Sequence, residues 1–417
     1  MPATSQQTSV LERFLRYVQL DTTSDPASTT VPSTARQLVL LDLLVDELHA
    51  LGLDDAARDE FGIVMATLPA TSSRKDVPVI GFLAHVDTSP EMSGFEVRPI
   101  VHGDYDGRDL VLPDDPAAVL SPRDDADLED KRGEDIVTAS GRTLLGADDK
   151  SGVAVLMAAV EQLVKNPGIA HGPIRISFTP DEEIGRGVRQ FDVKRFGAIC
   201  AYTLDGAGLG TLEAETFSAD SMSVTFQGRN THPGFAHGVM VNSVKVAADF
   251  VNRLPKDSLS PETTQDREGF VHPHGITATV DRTSVHFIIR DFETAQLAVQ
   301  EDYLKRLAHE TARDWPGSSA SFEVQESYRN MRDVIARHPA IVELAREAIR
   351  ETGITPIEGR IRGGTDGSIL SEMGLPTPNL FTGQHRFHSR LEWVSVQDME
   401  IAVRVIVNLA QLWEKRG

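Results

Sequence analysis

Between residues 60 and 205, short β-favouring runs alternate with helical ones: FGIVMATL, VPVIGFLAHVDT, the long segment SGVAVLMAAVEQLV ended by Asn166-Pro167-Gly168, then PIRISFTP and AICAYTLD. No other feature restricts the fold so tightly. Nearly unbroken apolar strands are buried on both faces. When helices separate them, they join into a covered, largely parallel sheet. The expected class is therefore α/β, with a mixed, mainly parallel central sheet.

The flanks fit that plan. SVLERFLRYVQ places Leu11, Phe14, Leu15 and Val18 on one helical face. Residues 33–50 predict a second helix, capped by Ser33 or Thr34 and stopped by Gly52. Residues 95–140 predict irregular chain, and the run RDDADLEDKRGED within them a solvated loop.

The texture changes near residue 217. Strands at 220–227, 275–280, 284–291 and 320–327 with helices at 242–254 and 293–313 predict a separate α+β module. After Tyr328 the first pattern returns: helices at 338–352, 366–372 and 397–414, with strands at 356–361 and 378–382. The expected domains are a discontinuous one, 1–216 with 329–417, and an insertion, 217–328. At 417 residues the chain has room for both.

Parallel sheets gather their sites at the C-terminal ends of the strands. Those ends carry His85 and Asp87, Glu182 and Glu183, Asp205 and, near the last strand, His388; Asp148 enters the long helix. Singly, each has an ordinary explanation. An acidic triplet such as Asp181-Glu182-Glu183 suits the first turn of a helix, and a lone His is usually a hydrogen-bonded structural residue. Together at one sheet edge, two His and several carboxylates without cysteine suit Zn²⁺ or a similar divalent ion, and their number suits two ions. His85 and Asp87 are two apart on a strand, so Asp87 can orient the imidazole. Adjacent Glu182 and Glu183 cannot point the same way, so one can bind metal and the other serve as general base.

Charge and composition exclude other classes. The net charge of −21 leaves no basic footprint for nucleic acid or an anionic membrane. GAGLG at 206–210 lacks the dinucleotide spacing, and there is no phosphate-binding loop. The one cysteine, Cys200, sits in an apolar run and reads as a buried small residue. MPATSQQTSVLERF has no signal-peptide pattern, so the expected compartment is the reducing cytoplasm.

In order, LAHVDTSPE, TLLGADDKSG, FTPDEEIGRG, AYTLDG, THPG and RGGTDGS resemble the M20 family of co-catalytic zinc peptidases, and within it the aminotripeptidases. The resemblance implies two Zn²⁺ per subunit, with Co²⁺ or Mn²⁺ as possible replacements. His85 and Asp205 would bind one ion, Glu183 and His388 the other. Asp148 would bridge them and be followed by a cis peptide. Glu182 would be the general base and Asp87 the residue orienting His85. The inserted module would be a lid and dimerisation domain, giving a homodimer. His232 would reach the partner's site and stabilise the oxyanion, while Asn242, Arg290, Gly363 and Gly364 would hold a short peptide. Arg290 suits a C-terminal carboxylate, a capture that would limit substrate length.

One motif departs. The branch commonly continues the last metal His as H-G-x-H-E, whereas this chain reads His388-Ser389-Arg390-Leu391-Glu392. The ligand position is kept, but Leu391 replaces the second His. His385 is a rival ligand, and His237 stands in a glycine-bounded loop that could shape specificity. His102, His171, His272, His274 and His286 read as structural or surface residues. The alternative functions are another M20 hydrolase, a dipeptidase or N-acyl-amino-acid deacylase, and a non-catalytic metal- or peptide-binding protein.

Overall fold

The structure is a computed structural model that describes residues 8–416. Contacts divide the chain into two compact units. The first comprises Met1–Ala214, Met331–Gly359 and Thr365–Gly417; the second comprises Glu215–Asn330 and Arg360–Gly364.

The first unit is built on a mixed sheet. Its strand order is Ala57–Arg58, Val64–Leu68, Ile174–Thr179, Ile80–His85, Cys200–Gly206, Asn379–Phe381, Thr211–Thr216 and Ile357–Ile361. The central strands Ile174–Thr179, Ile80–His85, Cys200–Gly206 and Asn379–Phe381 run parallel to one another. Val64–Leu68 and Thr211–Thr216 pair antiparallel on either side. Every residue of Ile80–His85 is buried, as its apolar run requires. Helix Ala147–Lys165 lies against Ile80–His85 and Cys200–Gly206. It is buried along almost its whole length, because helices Val10–Val18 and Val396–Arg416 pack on it too. Arg13, buried in the first of these, is neutralised by Glu47 and by Glu161 at 3.0 Å.

The second helix begins at Gln37, not at Ser33. Ser33 is drawn away by Asp181, which accepts its N–H at 2.6 Å and its hydroxyl at 2.5 Å; Gln37 Nε2 donates to the same carboxylate at 2.7 Å. The acidic run expected to be a solvated loop is also different. Short strands Gln384–His385, Trp393–Ser395, Ile136–Thr138 and Ile100–His102 form a small sheet, and part of the run folds over Trp393. Asp125 accepts from Trp393 Nε1 at 3.0 Å and Arg386 Nε at 2.6 Å, and Lys131 is buried with its Nζ 2.7 Å from Asp398.

Strand Thr211–Thr216 was not expected, since its acids mask its alternation. It buries Glu213, whose Oε2 has no partner among the described residues. Burial, with the Asp205 charge adding to it, pushes the carboxyl up to about 8. The folded chain therefore holds a proton that the unfolded chain releases near pH 4.5. Stability from this group is full below that pH and is lost as pH rises through about 8. Glu213→Gln is expected to remove this slope, raising stability at pH 8 by on the order of a few kcal/mol and changing it little at pH 4.5. Urea unfolding at the two pH values checks this; an equal shift at both would tie the effect to packing.

The second unit is an antiparallel sheet ordered Phe270–Ala278, Arg282–Asp291, Ser218–Gln227, Ser319–Tyr328. Alternate residues Met222, Val224, Phe226, Val285, Phe287 and Ile289 are buried with Val246, Phe250, Leu297 and Leu304 of helices Ser243–Asn252 and Thr294–Asp314. Strand Phe270–Ala278 starts earlier than expected and carries a bulge between Pro273 and Gly275. Among the described residues, no helix is long and apolar enough to cross a membrane.

Candidate metal centre

Three of the four central strands deliver their polar ends to one edge. His85 is the last residue of Ile80–His85 and lies level with Thr179 of the neighbouring strand. Glu182 and Glu183 follow that neighbour in a single 3₁₀ turn. Asp205 is the second-last residue of the third, Cys200–Gly206. Asp148 stands at the start of the long helix, with non-helical backbone angles and a cis peptide to Asp149. His388 comes from a distant turn at φ 59°.

These side chains meet around Asp148. Its Oδ1 is 3.0 Å from His85 Nε2, and its Oδ2 is 3.3 Å from His388 Nε2. Asp205 Oδ1 lies 3.7 Å from His85 Nε2, and Glu183 Oε2 lies 2.8 Å from His388 Nε2. Two groups of ligand atoms result, His85–Asp148–Asp205 and Asp148–Glu183–His388, each within 4.8 Å of one another and sharing Asp148. Glu182 belongs to neither.

Asp87 is fully buried and ties three of these parts together. Its Oδ1 is 3.3 Å from His85 Nδ1 and accepts the Glu182 N–H at 2.9 Å, while Oδ2 accepts the Glu183 N–H at 3.2 Å. It thereby contacts both the imidazole and the turn that carries both glutamates. Asp181 points away from them, toward Ser33 and Gln37.

Left to themselves, the side chains are in electrostatic conflict. Burial pushes Glu183 up to about 8, with the Asp148 charge adding to the shift. Burial also drives Glu182 well above the usual carboxylate range, with Asp205, Asp366 and Glu183 reinforcing it. Asp205 is raised by burial as well. Burial alone would lower His388, but hydrogen bonds to Asp148 and Glu183 push it up to about 11. Buried Glu183 Oε1 has no partner among the described residues. Two imidazoles and three carboxylates converging, all but His388 largely buried, with one oxygen unsatisfied, fit divalent cations. Bound cations would relieve the repulsion directly.

The remaining expected residues, His232, Asn242, Arg290, Gly363 and Gly364, lie in the second unit. His232 is exposed and its Nδ1 accepts the Gly234 N–H at 3.1 Å. Asn242 caps helix Ser243–Asn252 through the Val244 N–H at 3.0 Å. Arg290 Nη1 donates to Arg362 O at 3.3 Å, and its buried Nε has no partner among the described residues. A Cβ on Gly364 would lie 2.5 Å from the Tyr328 ring, so that approach requires glycine.

The rival His385 is otherwise engaged: its ring stacks on Trp393 with centroids 4.0 Å apart, and Nδ1 is 3.3 Å from Asp127. His102, His171 and His286 hydrogen-bond to Thr138, Gly172 and Ser223. Sequence reasoning missed four buried residues at this edge. Asp149 accepts the His85 N–H at 3.0 Å, and Asp366 accepts from Thr179 at 2.7 Å. Lys150 donates to Leu20 O at 2.7 Å, and Glu392 accepts backbone N–H groups ahead of Asp148. The motifs TLLGADDK and RGGTDG contained the first three as letters without roles.

The model of peptidase family M20/M25/M40 matches residues 143–412. Peptidase T of Geobacillus kaustophilus (strain HTA426) is 47% identical over 408 residues, 98% of this chain and 99% of that one. Peptidase T of Bacillus subtilis (strain 168) is likewise 47% identical over 408 residues, with the same coverage. The crystal structure of aminopeptidase PepT from Bacillus cereus ATCC 10987 matches with a TM-score of 0.74 at 23% identity, over 98% of this chain and 99% of that one. A Bacillus subtilis protein described as a dinuclear metal binding peptidase from M20 family matches at 0.64 and 15%, over 96% of each chain. At those identities the structural likeness is one of fold. The sequence matches go further: the chain belongs to peptidase family M20/M25/M40.

Proposed function

We propose that this chain is a metallo-aminopeptidase that releases the N-terminal residue of tripeptides, using two divalent cations, Zn²⁺ by preference. The observation that carries the reading is Asp148, whose two oxygens each face a separate His–carboxylate pair. Near-identity in length to relatives named peptidase T supports the substrate class. When bound, the cations supply Lewis-acid polarisation of the scissile carbonyl and a water acidified toward neutrality.

The chain's own residues do the rest. His85 and Asp205 hold one ion, Glu183 and His388 the other, and Asp148 both. Glu182 stands beside Glu183 but outside the ligand groups, so its carboxylate is free to accept the proton of the attacking water. The hydroxyl oxygen joins the carbonyl carbon, the C–N bond breaks, and Glu182 returns the proton to the leaving amine. Asp87 keeps the His85 ring and the Glu182 backbone in register through this cycle. The second unit serves as lid and dimerisation element. In a homodimer, His232 stabilises the oxyanion of the opposite subunit, while Asn242, Arg290, Gly363 and Gly364 hold the peptide. Lone, buried Cys200 accords with a reducing, cytoplasmic setting.

Hydrolysis of an unblocked tripeptide, its N-acetylated form and a dipeptide by zinc-reconstituted protein tests the reading. The unblocked tripeptide is expected to be cleaved at least tenfold faster than the others. Faster turnover of the acetylated peptide or the dipeptide would keep the fold and metals but reject the tripeptide specificity. The stretch after His388, where Leu391 replaces a histidine, is then the first region to examine.

A further inference from the structure

We propose that Glu392 is a positioning residue that sets the geometry of the bridging carboxylate by holding the backbone ahead of it; this rests on the two-cation reading of Asp148. Glu392 is 1% exposed. Its Oε2 accepts the N–H groups of Leu145 at 2.7 Å and Gly146 at 2.8 Å, and its Oε1 accepts the N–H of Asp148 itself at 3.0 Å. Both oxygens are committed to one loop. Gly146 turns that loop at φ 80°, a conformation that favours glycine.

The position of Glu392 in the chain gives the clamp its purpose. It lies four residues beyond His388, on the same tight turn, where Leu391 N–H donates to Ser389 Oγ and Glu392 N–H to Ser389 O. Asp148 and His388 come from opposite parts of the sequence, yet their side chains must meet at 3.3 Å. Glu392 ties the backbones behind them directly, so the turn bearing one ligand is locked to the loop bearing the other. Hydrogen bonds to a buried carboxylate are charge-assisted and strong. A carboxylate acting on main-chain N–H groups is not itself a ligand, and it touches neither substrate nor reacting atoms.

Glutamine at this position keeps the length but offers a single acceptor oxygen. Its amide nitrogen then faces a backbone N–H, donor against donor, and the loop must shift. Titration of the metal-free protein with Co²⁺, followed by visible absorption and metal content, tests the consequence. Wild type and Arg13→Met are expected to take up two equivalents with the same spectrum. The latter breaks a buried ion pair with Glu47 and Glu161 and so controls for loss of stability alone. Glu392→Gln is expected to bind Co²⁺ roughly 10–100-fold more weakly, as loss of an outer-shell partner does, with an altered spectrum. Wild-type affinities and spectrum in Glu392→Gln would overturn the proposal. Should that variant not fold, Glu392→Asp decides: it keeps the charge on a shorter stem, and unchanged affinity there is equally fatal. A wild-type chain that binds a single ion rejects the two-cation reading instead. The effect of Glu392→Gln on that one ion still decides the clamp.

Discussion

Glu182→Ala is expected to lose between roughly 10² and 10⁴ in kcat on an unblocked tripeptide, the range spanned by general acid–base catalysis, while both cations stay bound. The prediction turns on geometry. Glu183, one residue on, has its Oε2 2.8 Å from His388 Nε2 and belongs to a ligand group, and Glu182 belongs to none. The Glu182 backbone is anchored independently of its side chain, through Asp87, so truncation leaves the turn in place. Stability should not fall. Burial and three neighbouring carboxylates already oppose the charged form of Glu182, and removing it relieves that conflict. Steady-state kinetics with metal content measured on the same sample separates the outcomes. If Glu182→Ala loses an ion while Glu183→Ala keeps both, the two glutamates have exchanged roles.

Asp148→Ala is expected to release both cations, whereas Asp205→Ala releases one. The difference follows from sharing: Asp148 contributes an oxygen to each ligand group, Asp205 to only the first. Loss of a direct ligand weakens binding by more than the roughly 10–100-fold that outer-shell changes cost, and here the loss falls on two ions at once. Peptide hydrolysis should become undetectable. In thermal unfolding, added Zn²⁺ raises the midpoint of wild type by mass action and should leave that of Asp148→Ala nearly unmoved. Retention of one tightly held ion by Asp148→Ala would mean that the carboxylate serves a single site.

The central strands were legible because they are buried on both faces. Ile80–His85 and Cys200–Gly206 read as unbroken apolar runs, and the polar residues at their ends stood out against them. The second sheet was legible from alternation, since only one of its faces packs on helices. Most of what escaped has one cause: partners far apart in the chain. Asp125 and Lys131 look like solvated charges in RDDADLEDKRGED, yet their partners are Arg386, Trp393 and Asp398. Ser33 has the makings of a helix cap, but Asp181 claims it from another strand end. Glu392 grips backbone N–H groups, which every residue but proline carries, so no residue pattern announces it. The Thr211–Thr216 strand hid for a local reason, because its glutamates broke the apolar pattern.

The order in which ligands appear along the chain has a consequence for how the protein is made. Synthesis proceeds from the N-terminus, and domains generally fold as they emerge. His85, Asp148 and Asp205 precede the whole second unit, but strand Asn379–Phe381, which pairs with Cys200–Gly206, and helix Val396–Arg416, which packs on the Asp148 helix, follow it. His388, the donor that completes the other group, follows that unit, as does Glu392, which pins the Asp148 loop. Until translation has nearly run its course, a nascent chain therefore lacks residues that the proposed centre needs. A chain cut short before His388 would carry His85, Asp148, Glu183 and Asp205 without the donor that completes the second ligand group.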